Sequence, residues 1–191
     1  MHGALTSTAV PSLSSPAVVW GTTEGIPPGA STAVAYDRLS RTFQRLVDGL
    51  VAVHVPPADW RRRLDEYGPG RWNDEPVTEF PPVEHPVVVV HPESGRRALF
   101  LNPNVGGTTH IKDLTPEESK LLLKYLFRHI TRPEHVVRFR WTPGAVAVWD
   151  NRVTVHAPVA DVAADTPRLL HRVSLQGQRP TGVGVPGDNL A

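Results

Sequence analysis

A mainly β fold carrying a few helices, of the α+β kind built on a sandwich or jelly roll, is predicted by three observations. Twenty of the 191 residues are proline, about twice the usual share of roughly 5%, which favours short strands and turns over long helices. Beyond Pro86, apolar stretches of strand length alternate with turns bearing proline or glycine. Only two stretches, 31–50 and the one following Thr115, carry helical spacing.

In chain order, residues 1–30 are rich in Ala, Ser, Thr, Pro and Gly without a period, which predicts a loose lead-in. Over 31–50, Tyr36, Leu39, Phe43, Leu46, Val47 and Leu50 recur at spacings of three and four between charged residues, the pattern of an amphipathic helix. Residues 56–84 are dense in proline and glycine and predict a long excursion with one short helical turn over 59–67. Strands are predicted over 87–90 and 98–101, closed into a hairpin by Pro92-Glu93-Ser94-Gly95. Thr115, Pro116 and Glu118 form a capping box opening a second helix, with Leu121, Leu122, Tyr125 and Leu126 on its apolar side and Pro133 ending it. Val137, Phe139 and Trp141 then alternate with Arg138 and Arg140. Further extended segments follow at 146–149, 154–156 and 168–175. The domain is placed at 31–180, with 181–191 as a tail.

Composition bounds the function. A chain of this length suits one domain, able to bury roughly 70% of its unfolded surface. Twenty Lys and Arg against 19 Asp and Glu leave a formal charge of +1, so nothing draws the chain as a whole to nucleic acid or an anionic membrane. No apolar run approaches the roughly 18 residues of a bilayer span, and the first 30 residues lack a signal-peptide pattern. The expectation is a soluble, cytoplasmic protein. With no cysteine, disulfides and thiolate metal sites are excluded, and any metal must sit on histidines and carboxylates.

The densest chemistry lies between Trp149 and Arg172. On a strand of period two, Arg168, Leu170 and Arg172 share one face while Leu169, His171 and Val173 share the other. Two guanidiniums on one face are either solvated on an edge or turned inward to meet anions, which the planar fork of arginine grips bidentately.

Here the text resembles a known family. Trp149-Asp150-Asn151-Arg152-Val153-Thr154-Val155-His156, followed by Arg168-Leu169-Leu170-His171-Arg172, is similar to the C-terminal signature of the taurine dioxygenase/TfdA family of Fe(II)- and 2-oxoglutarate-dependent dioxygenases. His85-Pro86-Val87-Val88, His91-Pro92-Glu93-Ser94-Gly95-Arg96, Ala98-Leu99-Phe100-Leu101-Asn102 and Thr108-Thr109-His110-Ile111 resemble its middle segment. The resemblance implies a double-stranded β-helix (jelly roll), incomplete in this chain, with Fe(II) as metal and 2-oxoglutarate as cosubstrate. His156 then matches the distal iron ligand, Arg168 the arginine gripping 2-oxoglutarate, and Arg172 the one meeting the acidic group of a small organic substrate: a sulfonate, a sulfate ester or a carboxylate. His110 falls on the substrate side. Asp150 and Asn151 are expected to bond the turn that aims His156.

The chain also departs from the pattern. The family's His-x-Asp iron pair belongs well before Tyr36, and no such pair is present: His2 is followed by Gly3 and Ala4, and Ile26-Pro27-Pro28-Gly29-Ala30 stands where the family has Gly-Gly-Asp-Thr. His91-Pro92-Glu93, the one His-x-acid triplet, coincides with a hairpin turn. The chain reads as a family member without its first half. Two rivals to the enzyme therefore stand beside it: a degenerate relative that binds carboxylates through Arg168, and a structural module that self-associates through the surface its missing half would cover.

Overall fold

A computed structural model describes residues 16–21, 28–55, 81–103, 107–139, 141–142, 144–157, 170–175 and 177–184. All strand pairings among them are antiparallel. Strands β1 (Pro16–Gly21), β9 (Ala145–Asp150) and β11 (Leu170–Ser174) form one sheet with β1 central. Strands β2 (Pro28–Ser31), β8 (Val136–Arg138) and β10 (Thr154–His156) form a second with β2 central. A third sheet orders β4 (Val83–Pro86), β3 (Val51–His54) and β7 (Thr108–Ile111), and β5 (Val88–Val90) pairs with β6 (Arg97–Leu99) as the predicted hairpin.

Strands β1 and β2 lie in the stretch whose composition suggested a loose lead-in. Strand β2, Pro-Gly-Ala-Ser, has no local strand signal and forms because it is paired on both edges; β1 does carry one, Val18-Val19-Trp20 between Pro16 and Gly21, hidden in the surrounding Ala-, Ser- and Pro-rich sequence. The helix expected over 31–50 is two: α1 (Thr32–Asp37) and α2 (Arg41–Val47). Ser31 and Ser40 each hold extended backbone and accept a hydrogen bond from the backbone N–H three residues on, so the second cap restarts the helix inside a continuous apolar period. Leu39 and Val47 are buried as that period requires, whereas Leu46 is exposed.

Helix α3 (Pro116–Ile130) carries the predicted capping box: Thr115 Oγ1 accepts from the Glu118 amide, and Glu118 Oε2 accepts from the Thr115 amide at 2.8 Å. Ser119 Oγ accepts from the Ile111 amide at 2.8 Å, fastening the helix to β7. Its Leu123, Leu126 and Ile130 pack with Tyr36, Leu39, Val87, Val88, Leu99, Leu101 and Ile111 into the main core. The strand predicted around Val137 and Phe139 forms as β8, yet both residues are exposed while Trp141 is buried. Val146 and Val148 of β9 also face outward. The helical turn expected over 59–67 lies outside the described residues. No helix among the described residues is long and apolar enough to cross a membrane.

Candidate functional site

His156 closes β10 opposite Gly29 of β2. Directly opposed residues share a face, and the place where a Cβ of Gly29 would stand is open for 4 Å around. The half-buried imidazole therefore has room on that flank. On another side its ring meets that of Trp149, with centroids 4.8 Å apart.

Trp149 is held in turn. Its Nε1 donates to Asn151 Oδ1 at 2.9 Å, so the indole is anchored by the turn that follows it. Asp150 organises the rest of that turn. Its Oδ1 accepts from the Arg152 amide at 2.8 Å and from Arg152 Nε at 2.9 Å, and its Oδ2 accepts from Arg152 Nη2 and from His91 Nε2. Its carbonyl accepts from the Val153 amide and the Thr154 hydroxyl. The expectation that Asp150 and Asn151 bond the turn leading to His156 agrees with this geometry.

The tautomer of His91 follows from its bonds. Nδ1 accepts from the amides of Glu93 at 3.3 Å and Ser94 at 3.1 Å, so the ring proton is on Nε2 and donates to Asp150 at 2.9 Å. Gly95, at φ 68°, supplies the left-handed residue the turn needs. Burial alone would raise the Asp150 pKa; the Arg152 guanidinium, the His91 ring and the Arg152 amide outweigh it and hold the carboxyl at about 2. The Asp150 carboxylate is thus fully committed to structure, and His91 with it, so the His91-Pro92-Glu93 triplet is a turn rather than a metal pair. A cavity of about 290 Å³ borders this clasp, lined by His91, Phe100, Arg152, Arg179 and Thr181, and His156 does not line it.

The other sequence-predicted residues are placed as follows. Arg168 lies outside the described residues. Arg172 is on β11 in register with Val19, which is itself opposite Ala147 of β9. His110 is exposed on β7, opposite Val53 in a different sheet from His156, with Nδ1 3.1 Å from Thr109 Oγ1.

Two buried histidine pairs carried no sequence signal. His54 and His85 stand edge to face with centroids 5.3 Å apart, and both meet Phe100. Burial, with the neighbouring His85, lowers the His54 pKa to about 4. His129 stacks beside Tyr125 and meets His135 at 5.1 Å, and its Nε2 donates to Ala35 O at 2.7 Å. Burial lowers its pKa, so it joins α3 to α1 as a neutral donor rather than complementing the helix dipole as a cation.

A facial metal site needs two histidines and a carboxylate. Among the described residues no three His, Asp or Glu side chains gather in that way. The described residues therefore do not by themselves make up a set that fits an iron.

Comparison with known proteins places the chain. The family model described as taurine catabolism dioxygenase TauD, TfdA family matches residues 22–174. An alpha-ketoglutarate-dependent sulfate ester dioxygenase of Pseudomonas putida is 40% identical over 157 residues, covering 81% of this chain and 51% of that protein. The alpha-ketoglutarate-dependent dioxygenase cnsM of Penicillium expansum is 39% identical over 156 residues, covering 78% and 42%. The crystal structure of a taurine dioxygenase from Burkholderia xenovorans superposes with a TM-score of 0.74 at 35% identity, covering 89% of this chain and 55% of that one. AAD-2 in complex with Mn(II) and N-oxalylglycine matches with a TM-score of 0.70 at 27% identity, covering 88% and 65%. The chain spans about half the length of the curated relatives it matches. Its strands are those of the jelly-roll dioxygenases, and the match over most of its length means that the chain belongs to the TauD/TfdA family.

Proposed function

We propose that this chain carries the 2-oxoglutarate- and substrate-binding part of a cytoplasmic Fe(II)/2-oxoglutarate-dependent dioxygenase that hydroxylates a small organic acid: a sulfate ester, a sulfonate or a carboxylate. The observation carrying this reading is the turn at 149–154, where all three oxygens of Asp150 accept hydrogen bonds that fix the turn leading into the strand that ends in His156. That investment is understandable if the direction of one imidazole matters. Arg168 is assigned the far carboxylate of 2-oxoglutarate, Arg172 the acidic group of the substrate, and His110 a place on the substrate side. Relatives named for sulfate esters and for 2,4-dichlorophenoxyacetate support an acidic substrate.

When bound, iron would supply oxygen activation. The described residues do not gather three such donors by themselves, so a complete ligand set must draw on residues outside them. The alternative reading is a carboxylate-binding module without iron chemistry. Anaerobic titration with Fe(II), with and without 2-oxoglutarate, separates the two. A stoichiometric visible charge-transfer band that His156→Ala abolishes supports the enzyme. Binding of 2-oxoglutarate without a band, lost in Arg168→Ala, supports the module. Absence of 2-oxoglutarate binding in a folded chain sinks both.

A further inference from the structure

We infer that the outer side of α3 is a docking surface for an amphipathic acidic peptide, at a place separate from His156. Lys120, Lys124, Arg128 and Arg132 follow one another at four-residue intervals, and all are exposed. On a helix that spacing sets neighbours about 6 Å apart along the axis, so the first three span about 12 Å, with Arg132 just beyond the helix end. None of the four side chains has a carboxylate partner among the described residues.

Like charges four residues apart repel and weaken the helix. The C-terminal end of the helix dipole accounts for Arg128, which sits in the last turn, but not for Lys120 or Lys124. The stripe therefore asks for a negatively charged counterpart.

A groove of about 360 Å³ runs along it, lined by Leu121, Lys124, Tyr125, Arg128, His129 and Arg132. Leu121 is 62% exposed and Tyr125 39% exposed, unusual for large apolar groups on an otherwise well-packed helix. In the same groove wall His129 is buried, and its Nδ1 has no hydrogen-bond partner. A simple phosphate polymer would satisfy the cations and leave Leu121 uncovered. The Tyr125 ring is already engaged by Phe43 and His129, so it offers no platform for a nucleic-acid base. An acidic helix meets both requirements, since its own carboxylates at four-residue spacing match the pitch of the cations and a flanking leucine stripe covers Leu121 and Tyr125.

The test uses the whole chain and a fluorescent synthetic helical peptide with glutamate at every fourth position beside a leucine stripe, read by anisotropy. Binding is expected, weakening as NaCl is raised and the Debye length shortens. The paired reversal Lys124→Glu/Arg128→Glu should weaken it by roughly tenfold or more, and Leu121→Ser by about threefold. Arg45→Glu, a reversal on α2, should leave it unchanged. All these side chains are exposed, and unchanged melting temperatures confirm folding. Three results overturn the inference: no binding by the folded wild-type chain, equal loss in Arg45→Glu, or binding of inorganic polyphosphate in preference to the peptide with no effect of Leu121→Ser.

Discussion

Nε2 of His91 stands 2.9 Å from Oδ2 of Asp150, joining two turns 59 residues apart in sequence. One turn closes the β5–β6 hairpin; the other leads into the strand that ends in His156. The contact is largely buried, with the two side chains 10% and 24% exposed.

His91→Ala removes a hydrogen bond to a charged acceptor and leaves the hairpin amides of Glu93 and Ser94 without their partner. A loss of about 2 kcal/mol is expected, lowering the melting temperature by about 4–8 °C for a chain of this size. His91→Gln, whose amide can still donate to Asp150, should recover part of it. Thermal unfolding followed by circular dichroism checks both; an alanine variant melting with the wild type would show that the clasp contributes nothing.

Acid should weaken the fold in two stages. His54 is buried and neutral, with its folded pKa near 4 against an ordinary 6.5. Between those values the unfolded chain binds the extra proton, so the contribution is complete above pH 6.5 and falls away towards pH 4, by on the order of 3 kcal/mol. Asp150 has the depressed pKa of a paired carboxylate, about 2 against 3.8. Its contribution, about 2 kcal/mol, is complete above pH 4 and is lost as pH falls towards 2. Urea midpoints measured across this range should show both limbs, and His54→Leu should make the upper one shallower, leaving the share of His85 and His129, whose pKa values burial also lowers, and should not change the lower one. An unchanged upper limb in that variant would assign it to another group.

How much of this was legible beforehand depended on the range of the signal. The capping box of Thr115 and Glu118 and the β5–β6 hairpin are written within a few residues, and both were readable. The break between α1 and α2 was within reach too, since Ser40 is a good cap, but an apolar period running through it masked the restart. Strand β2 exists through its neighbours on both sides and nothing local marks it, whereas β1 is marked by Val18-Val19-Trp20 but lies in a stretch whose overall composition masks so short a run. For the site, the family motif pointed to His156, and the roles of Asp150 and Asn151 followed from their adjacency. The partnership of Asp150 with His91, and of His54 with His85, depends on chain segments meeting across the fold, which spacing along one strand does not encode.

Gly107 has a close neighbour rather than a special backbone angle. A Cβ there would stand 2.5 Å from the Asn102 carbonyl oxygen and 2.8 Å from its Cβ. The carbonyl is not free to yield: it accepts from the Thr108 amide at 3.1 Å, while the Asn102 amide donates to Thr108 Oγ1 at 2.9 Å. Gly107→Ala should therefore push the two ends of this loop apart and destabilise the chain by about 1–3 kcal/mol. Urea unfolding reads the loss, and a neutral result would mean that the loop relaxes without breaking those bonds.

Tyr36, Asp48 and Arg97 tie α1, the end of α2 and β6 together. The Tyr36 hydroxyl donates to Asp48 Oδ1 at 2.7 Å, while Arg97 Nη1 donates to that hydroxyl at 3.1 Å and to Asp48 Oδ2 at 2.9 Å. Burial raises the Tyr36 pKa above 10; Arg97 opposes the rise and Asp48 adds to it. With a folded pKa above the unfolded one, the native state holds its proton longer, so this contribution is complete below about pH 10 and declines as alkali is added. Tyr36→Phe keeps the buried ring and removes only the hydroxyl, leaving Asp48 and Arg97 still paired. The expected cost at neutral pH is therefore modest, about 1 kcal/mol, and the alkaline limb of the stability profile should become shallower. Both changes are measured in one set of urea titrations from neutral pH upward. If the phenylalanine variant kept the wild-type alkaline limb, the limb would belong to another group and the hydroxyl's role would reduce to the hydrogen bond alone.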